Sequence, residues 1–216
     1  MPEINLLDLY PRAKRDLDHR AQVSEENRKV AKQFGLEFFD GNRDQGYGGY
    51  KYDGRWVAIA KRFKDHYGLS DTASILDVGC GKGFLLHDFK LIMPNCHIAG
   101  IDISSYAIEH AMEDVKPFLK VANCLKLPYP DKSFDFIVSI NTVHNLPIEQ
   151  CQQSLSEIQR VSRRAMFVVV DAYKDDDEKK RMYKWNLTAE TILHADEWIK
   201  LFSRAGYTGD YYWFTP

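Results

Sequence analysis

The chain has 216 residues, 29 Lys and Arg against 31 Asp and Glu, and a hydrophobic fraction of 44%, a globular composition that excludes intrinsic disorder and collagen-like fibres. A net charge of −2 without a long basic tract argues against binding nucleic acid through its phosphates, which needs a positive surface. No window approaches about 18 apolar residues, and the N-terminus lacks a basic start followed by an apolar run, so no membrane or export segment is expected and the protein reads as cytoplasmic.

In chain order, Val30, Phe34 and Phe38 at helical spacing behind Ser24 predict one amphipathic helix over 24–40. Residues 46–54 then hold four glycines and three tyrosines, a composition that favours turns. Trp56, Ile59, Ala60, Phe63 and Tyr67 share one helix face, with Gly68 as its C-cap. From residue 74 short apolar runs alternate with helical patterns: strand 74–78, helix 82–91, strand 97–102, helix 105–113, strand 118–122 and strand 134–140. A helix opened by Pro147, with Ile148, Cys151, Leu155, Ile158 and Val161 inward, leads to strand 165–170. This alternation is the signature of a parallel α/β sheet with five parallel strands. A charged helix over 174–185 places acids before bases, as its dipole prefers; a helix over 196–205 and a strand over 208–214 follow. The four cysteines, Cys80, Cys96, Cys124 and Cys151, have no C-x-x-C spacing, so neither a metal site nor a disulfide framework is expected.

The strongest motif is Asp77-Val78-Gly79-Cys80-Gly81-Lys82-Gly83, where an apolar strand ends in a glycine-rich turn that opens a helix. Such a turn lets a ligand touch backbone, because a Cβ would block the approach. A dinucleotide fingerprint would place its third glycine at position 84, which is Phe84; the pattern is G-x-G-x-G instead. Asp102 ends the next strand nineteen residues after Gly83, where a carboxylate can accept two hydrogen bonds from a ribose diol. With the loop Ala122-Asn123-Cys124-Leu125-Lys126-Leu127-Pro128-Tyr129-Pro130-Asp131 and the segment Ser139-Ile140-Asn141-Thr142-Val143-His144-Asn145, the sequence resembles the class I S-adenosylmethionine-dependent methyltransferases over roughly 73–214.

That resemblance implies a Rossmann-like, doubly wound, mostly parallel sheet of six or seven strands at 73–216, behind an N-terminal helical cap at 1–72. It also implies S-adenosylmethionine as cofactor: Gly79, Gly81 and Gly83 near its methionine and ribose, Asp102 on the ribose hydroxyls, and Asn123 reading adenine in place of the family's usual Asp. Ile103, Cys124 and Asn141 complete the implied cofactor set. Asp77 serves either the turn or the ligand's amino group. The near-neutral charge favours a small-molecule acceptor, and the aromatic N-terminal segment and His144 fit a polar, hydroxylated one, for which His144 is a candidate general base, with Asn145 beside it. The glycine- and tyrosine-rich segment is either a lid, bringing Tyr47, Tyr50 and Arg55 to the acceptor, or a packed surface turn. A non-catalytic binding protein and a nicotinamide-dependent oxidoreductase are the alternatives. The tail supplies one clear strand where the family commonly has a pair, an edge that a second protomer could complete as a homodimer.

Overall fold

The computed structural model describes residues 1–11 and 15–216; residues 12–14, within the N-terminal stretch read above for a leader, lie outside the described residues. Three short helices come first: α1 (Leu17–Ala21), α2 (Glu25–Ala31) and α3 (Leu36–Phe39). The side chains of Asp16 and Ser24 accept from the His19 and Asn27 N–H groups and so cap the first two. The single helix expected over 24–40 is therefore broken. Phe34 takes a left-handed φ of 51°, and its carbonyl accepts from the Ser104 hydroxyl instead of continuing a helical ladder. In α4 (Val57–Tyr67), Ile59, Ala60 and Phe63 are fully buried, and Gly68 at φ 56° closes the helix as the sequence indicates.

The remaining elements are β1 (Ser74–Val78), α5 (Phe84–Ile92), β2 (His97–Asp102), α6 (Ser105–Glu109), β3 (Leu119–Val121), β4 (Phe134–Ile140), α7 (Ile148–Val161), β5 (Ser162–Tyr173), α8 (Asp176–Trp185), β6 (Leu193–His194), α9 (Ala195–Ala205) and β7 (Asp210–Phe214). The strands form one seven-stranded sheet in the order β3-β2-β1-β4-β5-β6, with β7 also paired to β5, and every pairing is parallel. Alternate residues face opposite layers. Ile75, Phe136, Val138, Phe167 and Val169 pack against α4 and α5, whereas Leu76, Val78, Ile137, Val168 and Val170 pack against α7 and α9. Phe63 shows how α4 joins the first layer, its ring centroid 5.2 Å from those of both Phe136 and Phe167.

Ile148, the first residue of α7, is 37% exposed where an inward position was expected; Cys151, Leu155, Ile158 and Val161 are buried as expected. The sheet edge that suggested a second protomer is occupied by the chain's own N-terminus. Glu3 bridges Tyr211 in parallel register, the Ile4 N–H donates to the Tyr211 carbonyl (2.9 Å), and the Tyr211 N–H donates to the Pro2 carbonyl (3.3 Å). Unpaired edge groups need a partner, and here the partner lies more than two hundred residues away in sequence. Among the described residues no helix is long and apolar enough to cross a membrane, and no group of His, Cys, Asp and Glu side chains is arranged to hold a metal ion.

Candidate active site

The order of strands reverses between β1 and β4, and at such a switch point the two connections leave on opposite faces and open a crevice at the carboxyl ends. The glycine-rich turn sits there. Gly79 has φ 86°, and a Cβ on it would lie 1.9 Å from Thr142 Oγ1, so only hydrogen fits. The turn is pinned to β2: the Gly79 and Cys80 N–H groups both donate to the Ile101 carbonyl (2.8 and 3.0 Å), and the Gly81 N–H donates to Asp102 Oδ2 (2.8 Å). Asp102 Oδ1 accepts from the Ser104 N–H (2.8 Å), so each carboxylate oxygen keeps further lone-pair capacity. Burial raises the pKa of Asp102 despite these donors. Beside it, burial and then the charge of Asp102 push Asp77 up to about 8, which leaves that carboxyl mostly protonated at neutral pH.

These groups open into a cavity of about 750 Å³, within the usual range for small-molecule sites. Of the implied cofactor residues, Asp77, Gly79, Gly81, Asp102, Ile103, Asn123, Cys124 and Asn141 line it. Gly83 does not. A Cβ there would meet Val115 Cγ2 at 2.8 Å, so this glycine lets the start of α5 pack closely, at φ 76°. Asn123 Oδ1 accepts from the Leu125 N–H (2.9 Å), which fixes the amide's orientation at the rim.

The other wall is built by the N-terminal segment. Tyr50 stacks on Phe84 (4.6 Å between centroids) and lies 4.4 Å from the Tyr47 ring, which in turn meets Phe38 at 5.1 Å. This aromatic roof is tied to the turn beneath it. Lys82 Nζ donates to Asp40 Oδ2 (2.6 Å) and to the Tyr50 carbonyl (3.1 Å), and the Tyr106 hydroxyl donates to the same Asp40 oxygen (2.7 Å). Burial acts to raise the Asp40 pKa, but the Lys82 and Tyr106 hydrogen bonds outweigh it and hold the carboxyl below its ordinary value. Arg55 pairs with Asp53 and reaches the Tyr10 hydroxyl (3.3 Å).

Tyr47, Tyr50, Arg55, His144 and Asn145 all line the same cavity. His144, 4% exposed, accepts the Asp171 N–H at Nδ1 (2.8 Å), so the proton of the neutral imidazole sits on Nε2. Burial pulls its pKa down to about 3. In this state the ring offers a donor to the cavity and has no free lone pair for taking a proton. Asn145 Nδ2 donates to the Asn141 carbonyl (3.0 Å), while its Oδ1 is buried without a partner.

Sequence reasoning missed Asp171, Arg15, Arg20 and Trp185, all of which line the cavity. Asp171 carried a signal, an acid ending the run Val168-Val169-Val170 just as Asp102 ends β2. Burial pushes it up to about 8. Arg15 and Arg20 come from a short segment with no motif of its own, and Trp185 is the last residue of the charged helix, whose pattern marks only a solvated face.

A family model described as a methyltransferase domain matches residues 69–206. A tRNA (carboxymethyluridine(34)-5-O)-methyltransferase of Arabidopsis thaliana is 30% identical over 147 residues, covering 67% of this chain and 34% of that protein. A phosphoethanolamine N-methyltransferase of Triticum aestivum is 33% identical over 96 residues, covering 40% of this chain and 18% of that one. This chain thus spans well under two thirds of these relatives' length. A methyltransferase structure from Aquifex aeolicus shares the fold with a TM-score of 0.51 at 21% identity, over 89% of each chain.

Proposed function

This chain belongs to the methyltransferase-domain family, whose class I members depend on S-adenosylmethionine, and on that premise we propose that it transfers a methyl group to a small polar, hydroxylated acceptor. The observation that carries the reading is one cavity lined both by the glycine turn with Asp102 and by the roof residues Tyr47 and Tyr50. The turn fits the cofactor, because Gly79 and Gly81 present backbone where a side chain would obstruct, and the carboxylates Asp77 and Asp102 suit a ligand with an ammonium and a ribose diol. When bound, S-adenosylmethionine supplies an electrophilic methyl on a sulfonium.

The chain's residues supply positioning. Asp102 would hold the ribose hydroxyls, Ile103 and Asn123 would flank the adenine, and Asp77, as a carboxylate after losing its proton to water, would meet the amino group. At the acceptor end, the Nε2–H of His144 donates to the acceptor's oxygen and aims it, while Asn145 Oδ1 receives a donor from the same molecule. We assign His144 this orienting role in place of a general base, because the Asp171 N–H occupies its only lone pair. An already activated methyl needs alignment more than deprotonation, and the acceptor's proton can pass to water. Residues 1–72 then act as the roof, with α4 fixing it to the sheet, and 73–216 as the cofactor-binding unit. A cytoplasmic site of action suits the four unpaired thiols.

A thermal-shift panel tests this. S-adenosylhomocysteine at 100 times its dissociation constant should add about 2.7 kcal/mol, moving the midpoint by about 5–10 °C, while NAD(H), NADP(H) and ATP should leave it in place. Stabilisation by a nicotinamide instead would overturn the reading.

A further inference from the structure

The cavity lining carries both signs of charge. Asp77 and Asp102 stand at the glycine turn and Asp171 within electrostatic reach of Arg15, while Arg15 and Arg20 gather at the Trp185 ring with Arg43 close enough to act on Arg20. Arg20 is 5% exposed, its Nη1 is buried without a hydrogen-bond partner, and among the described residues neither it nor Arg43 takes part in an ion pair, although Arg43 Nη1 donates to the Tyr47 carbonyl (2.8 Å). Other charges nearby are engaged. Asp44 is held by His19 Nε2 (2.7 Å), Lys32 pairs with Glu190, and Arg28 donates to the carbonyls of Val23, Arg20 and Asn186. Burial, then the charges of Arg43 and Arg28, lower the Arg20 pKa against a smaller opposing pull from the Asp44 carboxylate, which His19 already holds.

Arg20 is also held in place. Its guanidinium carbon lies 5.0 Å from the Trp185 ring centroid; that of Arg15 lies 5.7 Å from the same ring and 4.5 Å from Phe214. A buried guanidinium without an anion is costly, whereas one pre-placed on an aromatic face loses little entropy on binding a carboxylate or phosphate with its fork of donors. From the placement of Arg20 and Arg43 around the acceptor end, we propose that the acceptor carries an oxyanion, a carboxylate or a phosphate, and that these two arginines receive it. This rests on the methyl-transfer reading only in naming the bound molecule as the acceptor.

The test uses the full chain saturated with S-adenosylhomocysteine and titrated with sodium phosphate or sodium acetate at constant ionic strength, following the melting midpoint. At least one anion should stabilise saturably with a dissociation constant in the millimolar range, the stronger one identifying the oxyanion. Arg20→Gln should weaken that binding about tenfold or more, and Arg20→Lys less, with S-adenosylhomocysteine affinity within about threefold of the parent in both. Absence of saturable binding by either anion, or equal binding by Arg20→Gln, would overturn the proposal. So would a variant that weakens S-adenosylhomocysteine as much as the anion, since the guanidinium would then serve the cofactor's own carboxylate. If Arg20→Gln fails to fold, Arg43→Gln takes its place with the same expectations. A parent protein that binds the anion but never S-adenosylhomocysteine refutes the methyl-transfer reading and leaves the anion site standing.

Discussion

The two walls of the cavity are made in opposite ways. The wall at the glycine turn is backbone: strand ends, a turn with three positive-φ glycines, and a carboxylate tied to that turn by a main-chain N–H. The roof is side chain on side chain, with stacked rings and a Lys82–Asp40–Tyr106 cluster joining residues 42 and 66 positions apart. A wall of backbone tolerates almost no change at its surface, whereas a wall of side chains can lose one contact and keep the rest.

The largest test of this difference is a pair of alanines. Gly79→Ala should weaken S-adenosylhomocysteine by about 100-fold in calorimetry, since φ 86° and a contact at 1.9 Å both oppose a Cβ. Gly49→Ala, in the roof at φ 101° but with nothing within 4 Å of its Cβ, should cost about 1–2 kcal/mol of stability and leave affinity nearly unchanged. Comparable losses of affinity would show that the roof is as rigid as the turn.

A smaller effect sharpens the electrostatic side. Asp77 must be ionised to meet a cationic amino group, and in the free protein burial holds its proton up to about pH 8. Affinity for S-adenosylhomocysteine should therefore fall as pH drops below 8, by up to about tenfold per unit, and Asp77→Asn should flatten the profile. A pH-independent parent would remove Asp77 from the cofactor. Linkage gives the matching stability trend: with its folded pKa raised above the ordinary 3.8, Asp77 contributes stability that is present below about pH 4 and lost progressively as pH rises to about 8.

The smallest expected change concerns the tie itself. Lys82→Met leaves Asp40 with Tyr106 and the Tyr50 N–H alone, which should cost about 1–2 kcal/mol and lower the midpoint by about 2–8 °C. The double variant Lys82→Met/Asp40→Asn should recover part of that loss. Proteolysis within 40–55 should quicken in the single variant and slow again with S-adenosylhomocysteine; cleavage indifferent to both would make the segment a plain surface turn.

The same contrast explains what the sequence revealed. Strands 74–78, 97–102 and 134–140 are read to the residue because each is an apolar run buried on both faces, and the acid and glycines at their ends stand out against it. The roof has a period that misleads, Val30, Phe34 and Phe38 at helical spacing in what is not one helix. Phe34 breaks its helix because Ser104, seventy residues on, takes its carbonyl, and Arg20 matters only once α1 lies against α8. His144 shows the limit from the other side. Its position was legible, but its protonation depends on the Asp171 N–H, which only the fold brings within 2.8 Å.

The placement of Trp185 has an optical consequence. The chain has four tryptophans, at 56, 185, 198 and 213; Trp198 of α9 and Trp213 of β7 are buried, whereas Trp56 and Trp185 line the cavity. Intrinsic emission thus divides into a part from the two buried indoles, of which Trp198 donates to the Asp171 carbonyl (2.9 Å), and a part from the two that meet the cavity directly. Excitation of indole alone should therefore report occupancy of the cavity in real time, without a label.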